Sequence, residues 1–151
     1  MTKERFKLMP AVCVILKKDN KILLNKRQNT GFQDGTYGII GGGVDGNETV
    51  RQAAVREIEE EIGVNVKEED LKIVHVLHTK SERPDDPSGE CVVFFFETEK
   101  WEGEPQNMEP EKHECIKWFD VNDLPENLMP AGNQALDKIK KEEFYSEFGW
   151  D

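Results

Sequence analysis

GGGVDGNETVRQAAVREIEEEIGV, running from Gly41 to Val64, is the stretch that decides how the rest of the chain is read. It opens glycine-rich, Gly41-Gly42-Gly43-Val44-Asp45-Gly46, and reads as a loop. It then becomes a helical run from about Glu48 or Thr49 to Ile62, with Asn47 as N-cap and Gly63 at the C-terminal stop. That helix carries Glu57, Glu59, Glu60 and Glu61 beside Arg56. Like charges one turn apart, as in Glu57 and Glu61, cost a few tenths of a kcal/mol per pair. A solvated acidic face is the ordinary explanation for such a run.

The spacing argues for something else. At about 100° of rotation per residue, Val50, Ala54, Ile58 and Ile62 form one apolar stripe that faces a core. Glu57 and Glu61 fall at the edge of that stripe with Glu60 next to them, while Glu59 points to the far side and reads as a surface residue. Three carboxylates therefore converge where the helix dips toward the protein body. Half-buried carboxylates that close need protons, basic partners or a cation. Oxygen-only ligands of high charge density favour a hard cation such as Mg²⁺ or Mn²⁺.

These residues also carry a family resemblance. Gly42, Glu48, Arg56, Glu57, Ile58, Glu60, Glu61, Gly63 and Val64 occupy every fixed position of the signature of the Nudix hydrolase family. The resemblance implies an α/β fold, a mixed β-sheet in an α/β/α sandwich, and Mg²⁺-dependent (or Mn²⁺-dependent) hydrolysis of a phosphoric anhydride. By the same match Glu57, Glu60 and Glu61 are the metal ligands, joined by the loop carbonyl just before the box, at Gly41. Arg56 resembles the box arginine that orients the neighbouring carboxylates, through a salt bridge to Glu57 or Glu48. Glu57, Arg56 and Glu60 are thereby the catalytic candidates; Glu57 is the one to orient or deprotonate the attacking water, although in some members the base lies outside the box.

Beyond the box, Trp101 to Trp118 (WEGEPQNMEPEKHECIKW) looks like the corresponding region of MutT-type nucleoside triphosphate pyrophosphohydrolases. It is especially similar to the branch that sanitises oxidised purine nucleotides. In such enzymes a glutamate of this loop reaches the metal; Glu109 is the best match by spacing, with Glu111 and Glu114 as competitors. Arg27 matches a phosphate- or nucleotide-contacting arginine. Asn133, after Pro130, resembles a purine-reading asparagine with a one-residue ambiguity of register.

The expectation that follows is hydrolysis of a nucleoside triphosphate, 8-oxo-dGTP or another modified purine dNTP among the candidates, to the monophosphate and pyrophosphate. Two alternatives stand beside it: another nucleoside diphosphate-linked substrate such as ADP-ribose, and a non-catalytic nucleotide-sensing module. Similar proteins that cleave ADP-ribose usually carry a proline about fifteen residues beyond the box, and diadenosine polyphosphate hydrolases a tyrosine slightly further on. Leu77 to Arg83 contains neither, and the nearest proline is Pro84. Homodimers are common among similar proteins.

Rival phosphate motifs fail. Gly41, Gly43 and Gly46 spell GxGxxG between a strand and a helix, but the acidic residue expected about 20 residues on falls inside the Glu-rich helix or just beyond it. No Gly-Lys-Ser/Thr follows for a P-loop, and EF-hand spacing is absent.

The 151 residues suit one domain, 1–151, able to bury about two thirds of its unfolded surface. A charge of −11, from 20 basic and 31 acidic residues, opposes a nucleic-acid footprint. Three cysteines, Cys13, Cys91 and Cys115, with no CxxC spacing, read as packed thiols of a cytoplasmic protein. Met9 to Leu16 is too short to span a membrane and lacks a cleavage site.

Strands are expected at Ala11–Leu16, Lys21–Arg27, Gly38–Ile40, Leu71–His78, Glu90–Glu99 and Cys115–Phe119, with a turn at Asp19-Asn20. Phe32 and Tyr37 in the loop before the third strand either line a pocket or pin the loop. A closing helix is expected from Asn133 to about Phe144, with Ala135, Leu136, Ile139 and Phe144 as its apolar side. His75, His78 and His113 show no metal-ligand grouping and read as structural.

Overall fold

Alternating runs of β-branched and aromatic residues before and after one strongly amphipathic helix require a sheet with two faces to cover. The computed structural model, which describes residues 3–80 and 89–151, has this form. Seven strands, β1 (Met9–Lys18), β2 (Lys21–Arg27), β3 (Tyr37–Gly43), β4 (Lys72–Lys80), β5 (Glu90–Thr98), β6 (His113–Asp120) and β7 (Tyr145–Phe148), make one mixed sheet in the order β6-β2-β3-β1-β5-β4-β7. The β1–β5 and β4–β7 pairs are parallel and the other pairs antiparallel.

Helix α1 (Val50–Ile62) covers one face and α2 (Pro130–Lys140) the other. The alternation of β1 shows the division. Val12, Val14 and Leu16 pack with Ala53, Ala54, Ile58 and Ile62 of α1. Cys13 and Ile15 point to the opposite side, where Leu136 and Ile139 of α2 close the second layer. The three cysteines all lie in strands, Cys91 buried and Cys13 and Cys115 half-buried. No helix among the described residues is long and apolar enough to cross a membrane.

Burial explains why a Glu-rich helix is stable here. Ile58 and Ile62 are fully buried, each contributing about 1.5–3 kcal/mol, against a few tenths for each carboxylate repulsion. The hydrophobic stripe wins. Gly63 ends the helix in a left-handed conformation, φ 72°, its N–H bonded to Glu59 O. The N-terminus differs from the sequence expectation. Thr49, not Asn47, is the cap, its hydroxyl accepting from Gln52 N–H while the Gln52 side chain accepts from Thr49 N–H. A reciprocal capping box satisfies two orphan donors, whereas Asn47 sits at φ 66° in the turn before it.

Three further expectations are corrected. The glycine run is not a loop: Gly41, Gly42 and Gly43 are the end of β3, paired with Cys13, Val12 and Ala11 of β1. Helix α2 begins three residues earlier than expected, with Pro130 at the first turn where its missing N–H costs nothing. It stops at Lys140, before Glu142 turns left-handed at φ 58°. Phe144 is therefore not on its apolar face but 69% exposed. The chain then adds β7, which the sequence reading missed, at the sheet edge. His75 of β4, buried, bonds Glu143 O through Nδ1 and Ser146 Oγ through Nε2, both at 2.8 Å, and fastens this last strand.

The Asp19-Asn20 turn is as expected, with φ 50° and 66° at the two central residues of the β1–β2 hairpin. Of the expected polar loop at 79–89, residues 81–88, which include Arg83 and Pro84, lie outside the described residues.

The capping assignment is directly testable. Thr49→Ala removes the oxygen that caps α1 and is expected to lower unfolding free energy by about 1 kcal/mol, measured by urea denaturation. An unchanged midpoint would return the cap to another residue.

Candidate active site

The site is built where α1 crosses the end of β3. A strand and a helix normally keep side chains between them; here the strand has none. A Cβ on Gly41 would collide with the Val12 carbonyl oxygen and approach Cys13 Cα to 2.9 Å, and one on Gly42 would fall 2.5 Å from the Glu57 carboxyl carbon. Gly42 thus leaves room for a carboxylate, and Gly41 for the backbone of β1. Gly41 N–H donates to Glu61 Oε2 at 3.2 Å, tying helix to strand through the acidic side chain itself.

Arg56 organises the outer edge. Its Nε and Nη2 form a fork on Glu48, at 3.0 and 2.6 Å. Nη1 donates to Glu57 Oε1 at 2.9 Å and Glu60 Oε2 at 3.2 Å, and Nη2 also reaches Gly43 O at 3.0 Å. Asp45 lies 3.5 Å from Nη2. Both salt bridges allowed by the sequence reading, to Glu48 and to Glu57, are present. The Arg56 hydrogen bonds hold Glu48 below the usual carboxylate range.

Glu57 and Glu61 respond in the opposite direction. Burial pushes Glu57 up despite the opposing Arg56 contact, and the charges of Glu60 and Glu109 add to it. Burial pushes Glu61 well above its ordinary value of 4.5, with the Glu57 charge next in size and the Gly41 N–H opposing. Glu61 is 7% exposed, Glu60 and Glu59 exposed. Exposure alone does not distinguish Glu59 from Glu60; what does is that Glu60 lines the adjacent cavity and Glu59 does not.

These groups face a cavity of about 410 Å³. Gly41, Gly42 and Gly43 are its floor, and Glu57, Glu60 and Glu61 one wall. The lining is completed by Arg27 at the end of β2 with Thr30 and Phe32 after it, and by Glu109, Lys112 and His113 before and at the start of β6. Arg27 donates from Nε to Phe32 O at 2.9 Å and from Nη2 to Thr30 Oγ1 at 3.1 Å, with its guanidinium 5.7 Å from the Phe32 ring centroid. Lys112 Nζ is 3.5 Å from Glu109 Oε2. His113 is buried, and burial pushes its imidazole below the ordinary value.

Among the sequence candidates, Gly41, Glu57, Glu60, Glu61, Glu109 and Arg27 line this one cavity, and Arg56 stands behind it. Glu111 and Glu114 do not line it; Glu114 instead pairs with Lys26 at 3.1 Å. Asn133 does not line it either. It lies on α2 beside a separate cavity of about 530 Å³, together with Ile15, Ile22, Leu124 and Leu136. Phe32 lines the acidic cavity, whereas Tyr37 pins its loop, packed edge-on against Phe119 at 4.9 Å. Sequence reasoning missed His113 and Lys112. Only their closeness to Glu109 pointed to them.

Among the described residues no three His, Cys, Asp or Glu side chains are gathered into a ready-made cation cage. Glu57 and Glu60 instead share Arg56 Nη1 as a donor. The donor chemistry nevertheless fits a hard divalent cation: the acids are oxygen donors, and two of them are destabilised as anions by burial and mutual repulsion. Glu57, Glu60, Glu61 and Glu109, with Gly41, are the groups that could hold it.

Comparison with known proteins identifies the family of the chain. The NUDIX domain family matches residues 7–141. The ADP-ribose pyrophosphatase of Methanocaldococcus jannaschii is 40% identical over 127 residues, 83% of this chain and 70% of that protein. The 8-oxo-dGTP diphosphatase of Escherichia coli is 27% identical over 135 residues, 89% of this chain and 98% of that protein. Among solved structures, a MutT NUDIX hydrolase from Burkholderia pseudomallei superposes with a TM-score of 0.76 at 30% identity, covering 87% of this chain and 98% of that one.

The strained carboxylates give a stability prediction with a definite sign. Glu57 and Glu61 have folded-state values raised above their unfolded ones. Stability is thus greatest below the unfolded value and is lost as pH rises through the folded value. In chelator, the thermal midpoint of the wild type is expected to fall as pH rises from mildly acid to neutral. Glu61→Gln should flatten that slope and melt higher at neutral pH. An equal slope in both proteins would remove Glu61 as its source.

Proposed function

The chain belongs to the Nudix hydrolase family, and we propose that it cleaves a nucleoside triphosphate to the monophosphate and pyrophosphate, with Mg²⁺ as the working ion. The observation that supports this most directly is the position of Glu109. The loop between β5 and β6, where the sequence is MutT-like, brings a fourth carboxylate to the cavity of Glu57, Glu60 and Glu61. A divalent ion held there supplies neutralisation of the phosphate oxygens and activation of water.

The chain's own groups account for the rest of the chemistry. Glu57 is oriented by Arg56 Nη1 at 2.9 Å and is raised toward neutrality, which suits a group that aligns water and accepts its proton. Arg27 and Lys112 are the cations of the cavity lining and offset charge on the phosphate chain. Thr30 and Phe32 line the cavity beside Arg27. An oxidised purine such as 8-oxo-dGTP is a candidate substrate through the Escherichia coli relative, whose length the chain almost fully spans.

A second reading is ADP-ribose hydrolysis, favoured by the 40% identical relative named for it. The two differ in products, not in the acidic cavity. A panel of nucleoside triphosphates, oxidised dNTPs and ADP-ribose, with products identified, should show Mg²⁺-dependent pyrophosphate release. Two monophosphates from ADP-ribose alone would select the second reading. Glu60→Gln should lower turnover by at least roughly 10–100-fold, the scale for groups that tune a metal site; undiminished turnover would remove the cavity from the reaction.

A further inference from the structure

We infer that Asn107 is a positioning residue that sets Glu109 over the acidic cavity by stapling the β5–β6 loop, an inference that rests on the proposed hydrolase site.

The loop from 99 to 112 forms no helix or named strand, so its own backbone ladder does not hold it. It is held instead by the end of α1 and by Asn65 just beyond it, which exchanges two backbone hydrogen bonds with Glu102 at 3.0 and 2.9 Å. Gln106 N–H donates to Ile62 O at 2.9 Å and Met108 N–H to Glu61 O at 3.0 Å, two carbonyls of the last helical turn that have no partner within the helix. The residue between these two anchors is Asn107. Its Oδ1 accepts from Glu109 N–H at 3.2 Å, and its Nδ2 donates to His113 O at 2.7 Å. One amide thus closes the loop across six residues and fixes the backbone of the acidic side chain.

The turn it encloses is completed by Lys112 N–H and His113 N–H, both donating to Glu109 O, at 2.9 and 3.0 Å. Its outer rim is bonded to the other loop of the cavity. Gln28 N–H donates to Lys112 O, Gln28 Nε2 to Pro110 O and Asn29 Nδ2 to Glu111 O. Asn107 therefore stands on the inner side of a segment whose outer side carries the Arg27 loop. It does not line the cavity. Its effect on the reaction passes through Glu109, because its side-chain amide bonds the backbone of that residue and of His113. Alanine would release both bonds and leave the α1 anchors in place, whereas aspartate would keep the acceptor for Glu109 N–H and lose the donor to His113 O.

The test is a double-mutant cycle of Asn107→Ala and Glu109→Gln on the full chain, with folding checked by circular dichroism and thermal melting. Two quantities are read, Mn²⁺ affinity of the nucleotide-free protein by titration and steady-state turnover. Asn107→Ala is expected to weaken Mn²⁺ binding and lower kcat by about 10–100-fold, the cost of misplacing a group by an ångström. The nucleotide KM should change much less, and Asn107→Asp should retain part of both properties. In the Glu109→Gln background the same alanine should cost nothing further. Equal losses in both backgrounds, or unchanged Mn²⁺ affinity in Asn107→Ala, would overturn the inference. So would a harmless Glu109→Gln accompanied by an inactive Glu60→Gln, which leaves the hydrolase reading intact. An active Glu60→Gln would overturn the hydrolase reading itself.

Discussion

A helix bearing three carboxylates can lie against a β-strand only if the strand has no side chains at the crossing. That constraint is met by Gly42, whose missing Cβ leaves the space used by the Glu57 carboxyl, while Gly41 beside it lets the backbone of β1 come close at Val12 O. The consequences run outward from it. Close approach lets Gly41 N–H reach Glu61, so a strand amide inside the sheet also serves the acidic site. Ile58 and Ile62 on the same helix are fully buried against β1 and β3, which offsets the cost of carrying Glu57 and Glu61 into a low-dielectric space. The fold does not tolerate the acids at its surface as an accident of composition; it spends two glycines and an apolar stripe on holding them.

Much of this was legible in the chain, and for identifiable reasons. The 3.6-residue period of α1 separated Glu59 from Glu57, Glu60 and Glu61 because rotation about a helix axis is fixed by covalent geometry. The strands were legible where β-branched and aromatic residues run together, as in Val92 to Phe96. What failed was local. GGG reads as a loop by composition, since the reason for a glycine strand lies in a neighbouring helix and not in the strand. Tyr145–Phe148 has four residues at the sheet edge and takes its place from His75, about seventy positions away. Asn47 and Thr49 are both sound N-caps by type, and the Gln52 side chain decides between them.

The candidate site was legible in the same uneven way. Glu57, Glu60 and Glu61 follow from one helix, so spacing alone gathers them. Glu109 was separable from Glu111 and Glu114 only by resemblance, because its place depends on anchors at Glu61 O and Ile62 O that no pattern encodes. Lys112 and His113 follow from the turn that Glu109 closes. Asn133 is of another kind: its purine-reading role rested on a resemblance with a one-residue ambiguity of register, and the chain puts that residue on α2 beside another cavity.

The charge balance of the cavity bears on why the reaction would depend on a cation at all. Arg56 is the most heavily bonded cation near the site, and its contacts go to Asp45, Glu48, Glu57, Glu60 and Gly43 O rather than into the cavity. Arg27 is engaged by Phe32 O and Thr30, and Lys112 by Glu109. His113 is pushed toward its neutral form. Against these stand four cavity carboxylates in a chain of net charge −11. A substrate with three phosphates would enter a field of its own sign, only partly screened within the Debye length of about 8 Å at physiological salt. Two side-chain cations leave four carboxylates in formal excess by two charges, and one divalent ion on them would cancel that excess. On the proposed reading, the bare acidic wall would oppose a phosphate chain and the ion-loaded wall would not, so the ion would serve substrate entry as well as chemistry.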